Sequence, residues 1–130
     1  LGDGIMATFG APISHGNDCQ NAFDACKDIF KKLRLKIKKG ELAPIRIGIG
    51  LHAGYVVTGN VGNETRQQYS VTGNPVIIAS RLEQLNKKFN SQFILSDSVY
   101  ELLENKPTLK PKMVDLKGRS DQTKIYIVEE

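Results

Sequence analysis

No apolar run in this 130-residue chain approaches the ~18 residues that a membrane span needs, so no segment is expected to cross or contact a bilayer. Nothing at the start reads as a signal peptide. There is no initiator methionine: the chain opens at Leu1-Gly2-Asp3-Gly4, as a processed protein or a piece of a longer one would. Cysteine is scarce. Cys19 and Cys26 fall two turns apart on one expected helix, about 10 Å along its axis, which is too far for a disulfide. No third thiol or paired histidine completes a zinc set. Buried reduced thiols are therefore expected, as in a cytoplasmic protein, and the Asn63-Glu64-Thr65 sequon is discounted because no secretory signal accompanies it. The phosphate-binding motifs are missing too. No Gly-Lys-Ser/Thr occurs, and Gly48-x-Gly50-x-x-x-Gly54 misses the dinucleotide spacing by one residue.

What is present describes one domain of ordinary globular composition, 40% apolar and 25% charged. A chain of this size buries roughly two thirds of its unfolded surface. Eighteen Lys and Arg against 14 Asp and Glu leave a net charge of +4, a hint of an anionic partner. Lys31, Lys32, Arg34, Lys36, Lys38 and Lys39 crowd one stretch, which reads as a solvated helix end favoured by the helix dipole. No aromatic platform accompanies this run, so nucleic-acid binding is not expected.

Strands and helices alternate. Residues 4–10 form a short apolar run between turn residues and read as a strand. Asn17 and Gln20 have the spacing of a capping box. Ala22, Phe23, Cys26, Ile29, Phe30, Leu33 and Ile37 then follow at helical spacing as far as Gly40. Residues 45–50, running on to Gly54, read as a buried strand whose glycines admit another backbone or a ligand. Residues 55–58 read as its return strand, 59–64 as a loop and 69–72 as another strand. Asn74 and Pro75 open a helix with Val76, Ile77, Ala79, Ser80, Leu82 and Leu85 inward. A strand over 92–95 leads into a short helix with Val99, Leu102 and Leu103 inward. Strands over 113–116 and 124–128 flank a hairpin turn. The pattern is α+β, with helices packed on one face of a mixed, mostly antiparallel sheet.

Few residues carry chemistry. His52 lies in an apolar strand and reads as a satisfied core histidine. Asp3, between two glycines, is either a hairpin turn or a Mg²⁺ ligand, since that ion takes one or two carboxylates plus substrate phosphates. Arg81 is a charge within an apolar helix and needs an anion: Glu83, another carboxylate or a ligand. Arg119, in the last hairpin, can reach a phosphate or solvent.

Taken together, several segments resemble the class III adenylate/guanylate cyclase catalytic domain. They are Leu1-Gly2-Asp3-Gly4-Ile5-Met6-Ala7-Thr8-Phe9-Gly10, Arg46-Ile47-Gly48-Ile49-Gly50-Leu51-His52-Ala53-Gly54, Gly59-Asn60-Val61-Gly62, Gln68-Tyr69-Ser70-Val71-Thr72-Gly73-Asn74, Ala79-Ser80-Arg81-Leu82-Glu83 and Leu116-Lys117-Gly118-Arg119-Ser120. The order and spacing of the pieces carry the likeness across nearly the whole chain.

The resemblance implies a ferredoxin-like cyclase fold and a two-metal attack of the ribose 3′-oxygen on the α-phosphate, with pyrophosphate leaving. It makes Asp3 a ligand of Mg²⁺ or Mn²⁺ and Arg81 the catalytic arginine at the transferring phosphate. Ser70 becomes the base-reading residue and Arg119 a contact to the terminal phosphates, with Gly4 among the substrate-binding residues. It further implies a nucleoside triphosphate substrate, ATP ahead of GTP, a head-to-tail homodimer, and a cytoplasmic domain, alone or within a larger sensor or membrane protein. Residues 1–130 correspond to the later part of that domain, without its first strand and helices. Half of the metal site would precede Leu1, so this stretch alone is expected to be inactive. Ile77 stands where the family carries a ribose-orienting asparagine, a loss of ~1–3 kcal/mol or roughly 5- to 150-fold in rate. Tyr55 stands where a basic residue is common. These departures support a second expectation, a degenerate cyclase-like module for regulation, nucleotide binding or dimerisation.

Overall fold

The computed structural model describes residues 4–11, 13–61, 68–72, 74–117 and 119–130, with backbone alone for 57–61 and 68–72. Among the described residues nine elements follow in order: α1 (Asp18–Lys38), β1 (Ile49–Leu51), β2 (Val57–Val61), β3 (Gln68–Thr72), α2 (Asn74–Phe89), β4 (Phe93–Ser96), α3 (Asp97–Glu101), β5 (Lys112–Val114) and β6 (Thr123–Val128). Four strands form a sheet in the order β1-β4-β6-β5, and β2 and β3 form a separate hairpin. β1 runs parallel to β4, while β4 with β6 and β6 with β5 are antiparallel. The architecture is the expected mixed α+β.

The sheet is covered on both faces rather than one. Phe93, Leu95, Tyr126 and Val128 pack with Phe23, Cys26 and Phe30 of α1 and with Val99 of α3. Their strand neighbours Ile94 and Ile125 point the other way, to Ile78 and Leu82 of α2. Side chains alternate across a strand, so a strand buried at all four positions, as β4 is, needs a cover on each side.

Glycine makes the second cover possible. A β-carbon on Gly50 would lie 2.5 Å from the carbonyl oxygen of Ala79, and one on Gly54 2.6 Å from Cγ of Pro75. The glycines that failed the dinucleotide spacing therefore let α2 lie on β1. Asn86, buried on the same helix, donates to the Ile49 carbonyl at 3.2 Å and accepts from Ser91 Oγ at 2.8 Å.

Several local expectations give way. Residues 4–8 are irregular and 9–11 a bend, with Ile5, Met6 and Phe9 exposed, because a strand exists only where another strand's edge pairs with it. The capping box does not form. Asn17 Oδ1 accepts from the Asn21 side chain, and Asp18 caps the entry by accepting from Ser14 Oγ and His15 N. Gln20 Oε1 instead accepts from the backbone N–H groups of Glu104 and Asn105, both at 3.0 Å. The α1 terminus at Gly40 holds: at φ +76 it closes a Schellman turn, with Gly40 N on Ile37 O and Glu41 N on Lys36 O. Strand 45–50 shortens to β1. The return strand moves to Val57–Val61 and pairs with β3 instead of β1, so residues read as loop are strand. In α2, Ile78 faces inward while Ile77 and Ser80 are exposed, and Leu102 likewise points outward.

Candidate functional site

α2 presents Arg81 one residue before the fully buried Leu82, at the edge of the face that packs on the sheet. The guanidinium Nε is buried and has no hydrogen-bond partner among the described residues. The ion pairs among those residues join Lys27 and Arg34 to Glu130, Lys32 to Asp28 and Lys36 to Glu41. Neither Arg81 nor Glu83 takes part in them, so Glu83 is not the counter-ion. Arg81 is therefore a half-buried cation with no anionic partner among the described residues.

Arg119 lies in the β5–β6 turn, exposed, with its backbone N–H on Leu116 O at 3.0 Å and Nη1 donating to Thr123 Oγ1 at 3.1 Å. Its second guanidinium nitrogen leaves donor capacity for a ligand. Its field reaches His52, at the end of β1. Burial first, and Arg119 second, lower the His52 pKa to about 4, so the ring is neutral at physiological pH. His52 Nδ1 lies 2.8 Å from Ser96 Oγ and 3.3 Å from Ser98 Oγ. The reading of His52 as a satisfied histidine therefore holds.

Gly4 is exposed in irregular chain. Asp3 lies outside the described residues. Ser70 is described by its backbone, opposite Gly59 in the β2–β3 hairpin, and its side chain lies outside the description. An open cleft of about 440 Å³ runs between residues 6–11, the exit of β1 from Leu51 to Val56, and Pro75, Val76 and Ala79 at the start of α2. His52, Cys19 and Asp18 line it, whereas Arg81 and Arg119 are not among its described lining. Tyr55 at its rim is fully exposed, and Ile77 is 51% exposed. Both cysteines are free, and burial raises the Cys26 thiol to about 11, leaving it protonated and inert.

Among the described residues no three His, Cys, Asp or Glu side chains gather as a metal cage. Mg²⁺ needs no such cage: one or two protein carboxylates beside substrate phosphates suffice, and Asp3 is an oxygen donor of that hard type. No described helix is long and apolar enough to cross a membrane. Two polar tethers escaped the sequence reading. Asn86 was detectable as a polar residue on the Ile78–Leu82 stripe. The Ser96–Ser98 pair beside His52 had no signal, because it depends on a strand packed 44 residues away.

The whole chain, residues 1–130, matches the sequence model of the family described as Adenylate and Guanylate cyclase catalytic domain. An adenylate cyclase of Anabaena cylindrica is 32% identical across 99% of this chain, which spans about a quarter (27%) of that relative's length. Among solved structures, the guanylyl cyclase Cya2 superposes with a TM-score of 0.74 at 26% identity, covering 92% of this chain and 61% of its own. The adenylyl cyclase CyaB from P. aeruginosa gives 0.70 at 28% identity, covering 94% and 65%.

Proposed function

The chain belongs to the adenylate and guanylate cyclase catalytic domain family, and from that premise we propose that it is part of a nucleotide cyclase. Its substrate in this reading is ATP ahead of GTP, and its products are the 3′,5′-cyclic monophosphate and pyrophosphate. The observation that carries the reading is the buried Nε of Arg81, left without a partner among the described residues.

Each side chain then has a task. Arg81 holds the charge that develops on the α-phosphate as the ribose 3′-oxygen attacks and the bond to pyrophosphate breaks. An arginine with no counter-ion among the described residues has that charge ready without first breaking a salt bridge to them. Arg119 binds the terminal phosphates through the donors that Thr123 does not occupy. Ser70 meets the base; its hydroxyl both donates and accepts, which suits the adenine edge without forbidding guanine. Gly4 borders the substrate beside Asp3, and Asp3 would hold Mg²⁺ or Mn²⁺. When bound, that ion neutralises triphosphate charge and eases loss of the 3′-hydroxyl proton. Two copies pairing head to tail would complete each site in a cytoplasmic setting.

The test is to incubate the full-length protein with Mg²⁺ or Mn²⁺ and either ATP or GTP, and to resolve the products chromatographically. Cyclic AMP formed faster than cyclic GMP is expected; no cyclic nucleotide from either substrate overturns the reading. A second reading is favoured by Ile77, whose exposed side chain offers a ribose no hydrogen bond. In it the domain binds nucleotide and regulates without turnover, and its signature is triphosphate binding by a protein that makes no cyclic product.

A further inference from the structure

Among the described residues, His52 is the half-buried titratable ring at the cleft that the proposed chemistry leaves without a task. It follows the last residue of β1, and its Nδ1 faces two hydroxyls from the end of β4 and the start of α3: Ser96 Oγ at 2.8 Å and Ser98 Oγ at 3.3 Å. Those hydroxyls lie 2.8 Å from each other, and Ser98 Oγ also donates to the carbonyl of Ala53 at 3.3 Å. The imidazole and the two serines thus form a closed polar triangle that fixes both the side chain and the backbone where the chain leaves β1. Two residues on, Gly54 meets Pro75 in the first turn of α2 so closely that a β-carbon would lie 2.6 Å from its ring. α2 carries Arg81. The exit of β1 is therefore held to β4 and α3 on one side and presses on the arginine helix on the other.

We infer that His52 is a positioning residue for this site: with Ser96 and Ser98 it sets the exit of β1 against the first turn of α2 and so aims Arg81. The inference rests on the cyclase reading. A neutral ring suits the task, because the triangle needs a fixed donor and acceptor rather than a second cation near Arg119. The charged and titratable groups about the ring come from two sides: Arg119 of the β5–β6 turn, and Asp18 and Cys19 of α1, which line the same cleft. A small misplacement of a group that acts only on the transition state lowers turnover with little effect on ground-state binding.

The test uses the full-length protein with Mg²⁺-ATP and compares wild type, His52→Leu and His52→Asn; the Asn side chain reproduces the geometry of Nδ1. His52→Leu should lower kcat about tenfold and leave KM within about twofold. His52→Asn should return kcat to within about threefold of wild type. A purely structural ring would lose stability in both variants without this split or rescue, and thermal unfolding of each variant is read alongside. Wild-type kcat in His52→Leu, or a loss in His52→Asn as deep as in His52→Leu, overturns the positioning role while wild-type turnover preserves the cyclase reading. Absence of turnover in wild type itself overturns both.

Discussion

Gly50 and Ala79 approach so closely that a single added methyl group on the glycine would lie 2.5 Å from the alanine carbonyl oxygen. This contact sets how near α2 lies to β1, and thus how deep Arg81 sits. Gly50→Ala has no room, because the obstructing atoms are backbone rather than a movable side-chain tip. It should destabilise the domain by about 1–3 kcal/mol, the usual cost of overpacking. Urea denaturation followed by circular dichroism reads this as a lower midpoint at unchanged slope. A midpoint equal to wild type would mean that the helix can retreat freely.

Asn86→Leu removes the donor to Ile49 O and the acceptor for Ser91 Oγ in one step. The Ile49 carbonyl then loses its side-chain donor and the Ser91 hydroxyl its acceptor, for about 1–3 kcal/mol. Ser91→Ala, which removes only the second bond, should cost less than half as much in the same denaturation experiment. Equal losses would place the stabilisation in Ser91 instead.

Arg81→Met should separate activity from stability. Turnover of the full-length protein is expected to fall about 10²- to 10³-fold, as for loss of one transition-state donor. The unfolding midpoint should stay level or rise, since the buried Nε has no partner to lose among the described residues. A large drop in midpoint would show that Arg81 holds the fold together.

Ile77→Asn restores a hydrogen-bonding group at an exposed helical position. Stability should move by no more than about 0.5 kcal/mol, while turnover in the full-length protein should rise roughly 5- to 150-fold. Unchanged or lower turnover would mean that ribose is held by another residue.

The His52 ring gives a pH dependence with a definite sign. Its pKa is lowered from 6.5 in the unfolded chain to about 4 in the folded one. Between those values the unfolded state binds more protons, so stability rises with pH across that window and falls as pH drops from 6.5 toward 4. The swing should be of order 1–2 kcal/mol once the exposed part of the ring is discounted for solvent screening. Chemical denaturation at pH 4.5 and 7 checks it, and His52→Asn should flatten that part of the profile. An unflattened slope would assign the acid sensitivity to carboxylates.

Elements that carry their own periodicity could be read from the chain. α1 shows it from Ala22 to Phe30, with Gly40 as its stop, and the β5–β6 hairpin shows it on either side of its turn. Arg81 was legible for the same reason, as a charge inside an apolar pattern. Elements defined by a partner were not legible. Residues 4–10 have strand composition, but composition supplies no neighbouring edge. Ile77 and Ile78 are adjacent and alike, and only the direction from which the sheet arrives decides that Ile78 is buried. Gln20 has the spacing of a capping box and is drawn instead to Glu104 and Asn105, 84 and 85 residues away. The one-face expectation failed at the central strands β4 and β6, whose successive residues pack alternately on the two layers of helix.

The stacking of Phe23 on Phe93, with ring centroids 5.7 Å apart, has a consequence for synthesis. The helix that bears Phe23 and Phe30 leaves the ribosome about 70 residues ahead of the ring that covers them, roughly 4–14 s at ordinary elongation rates. Throughout that interval the apolar stripe of α1 lacks the Phe93 ring that covers it. The nascent chain therefore carries α1 as a sticky basic helix for seconds before Phe93 emerges, and crowding by neighbouring nascent chains becomes the condition under which its yield should suffer first.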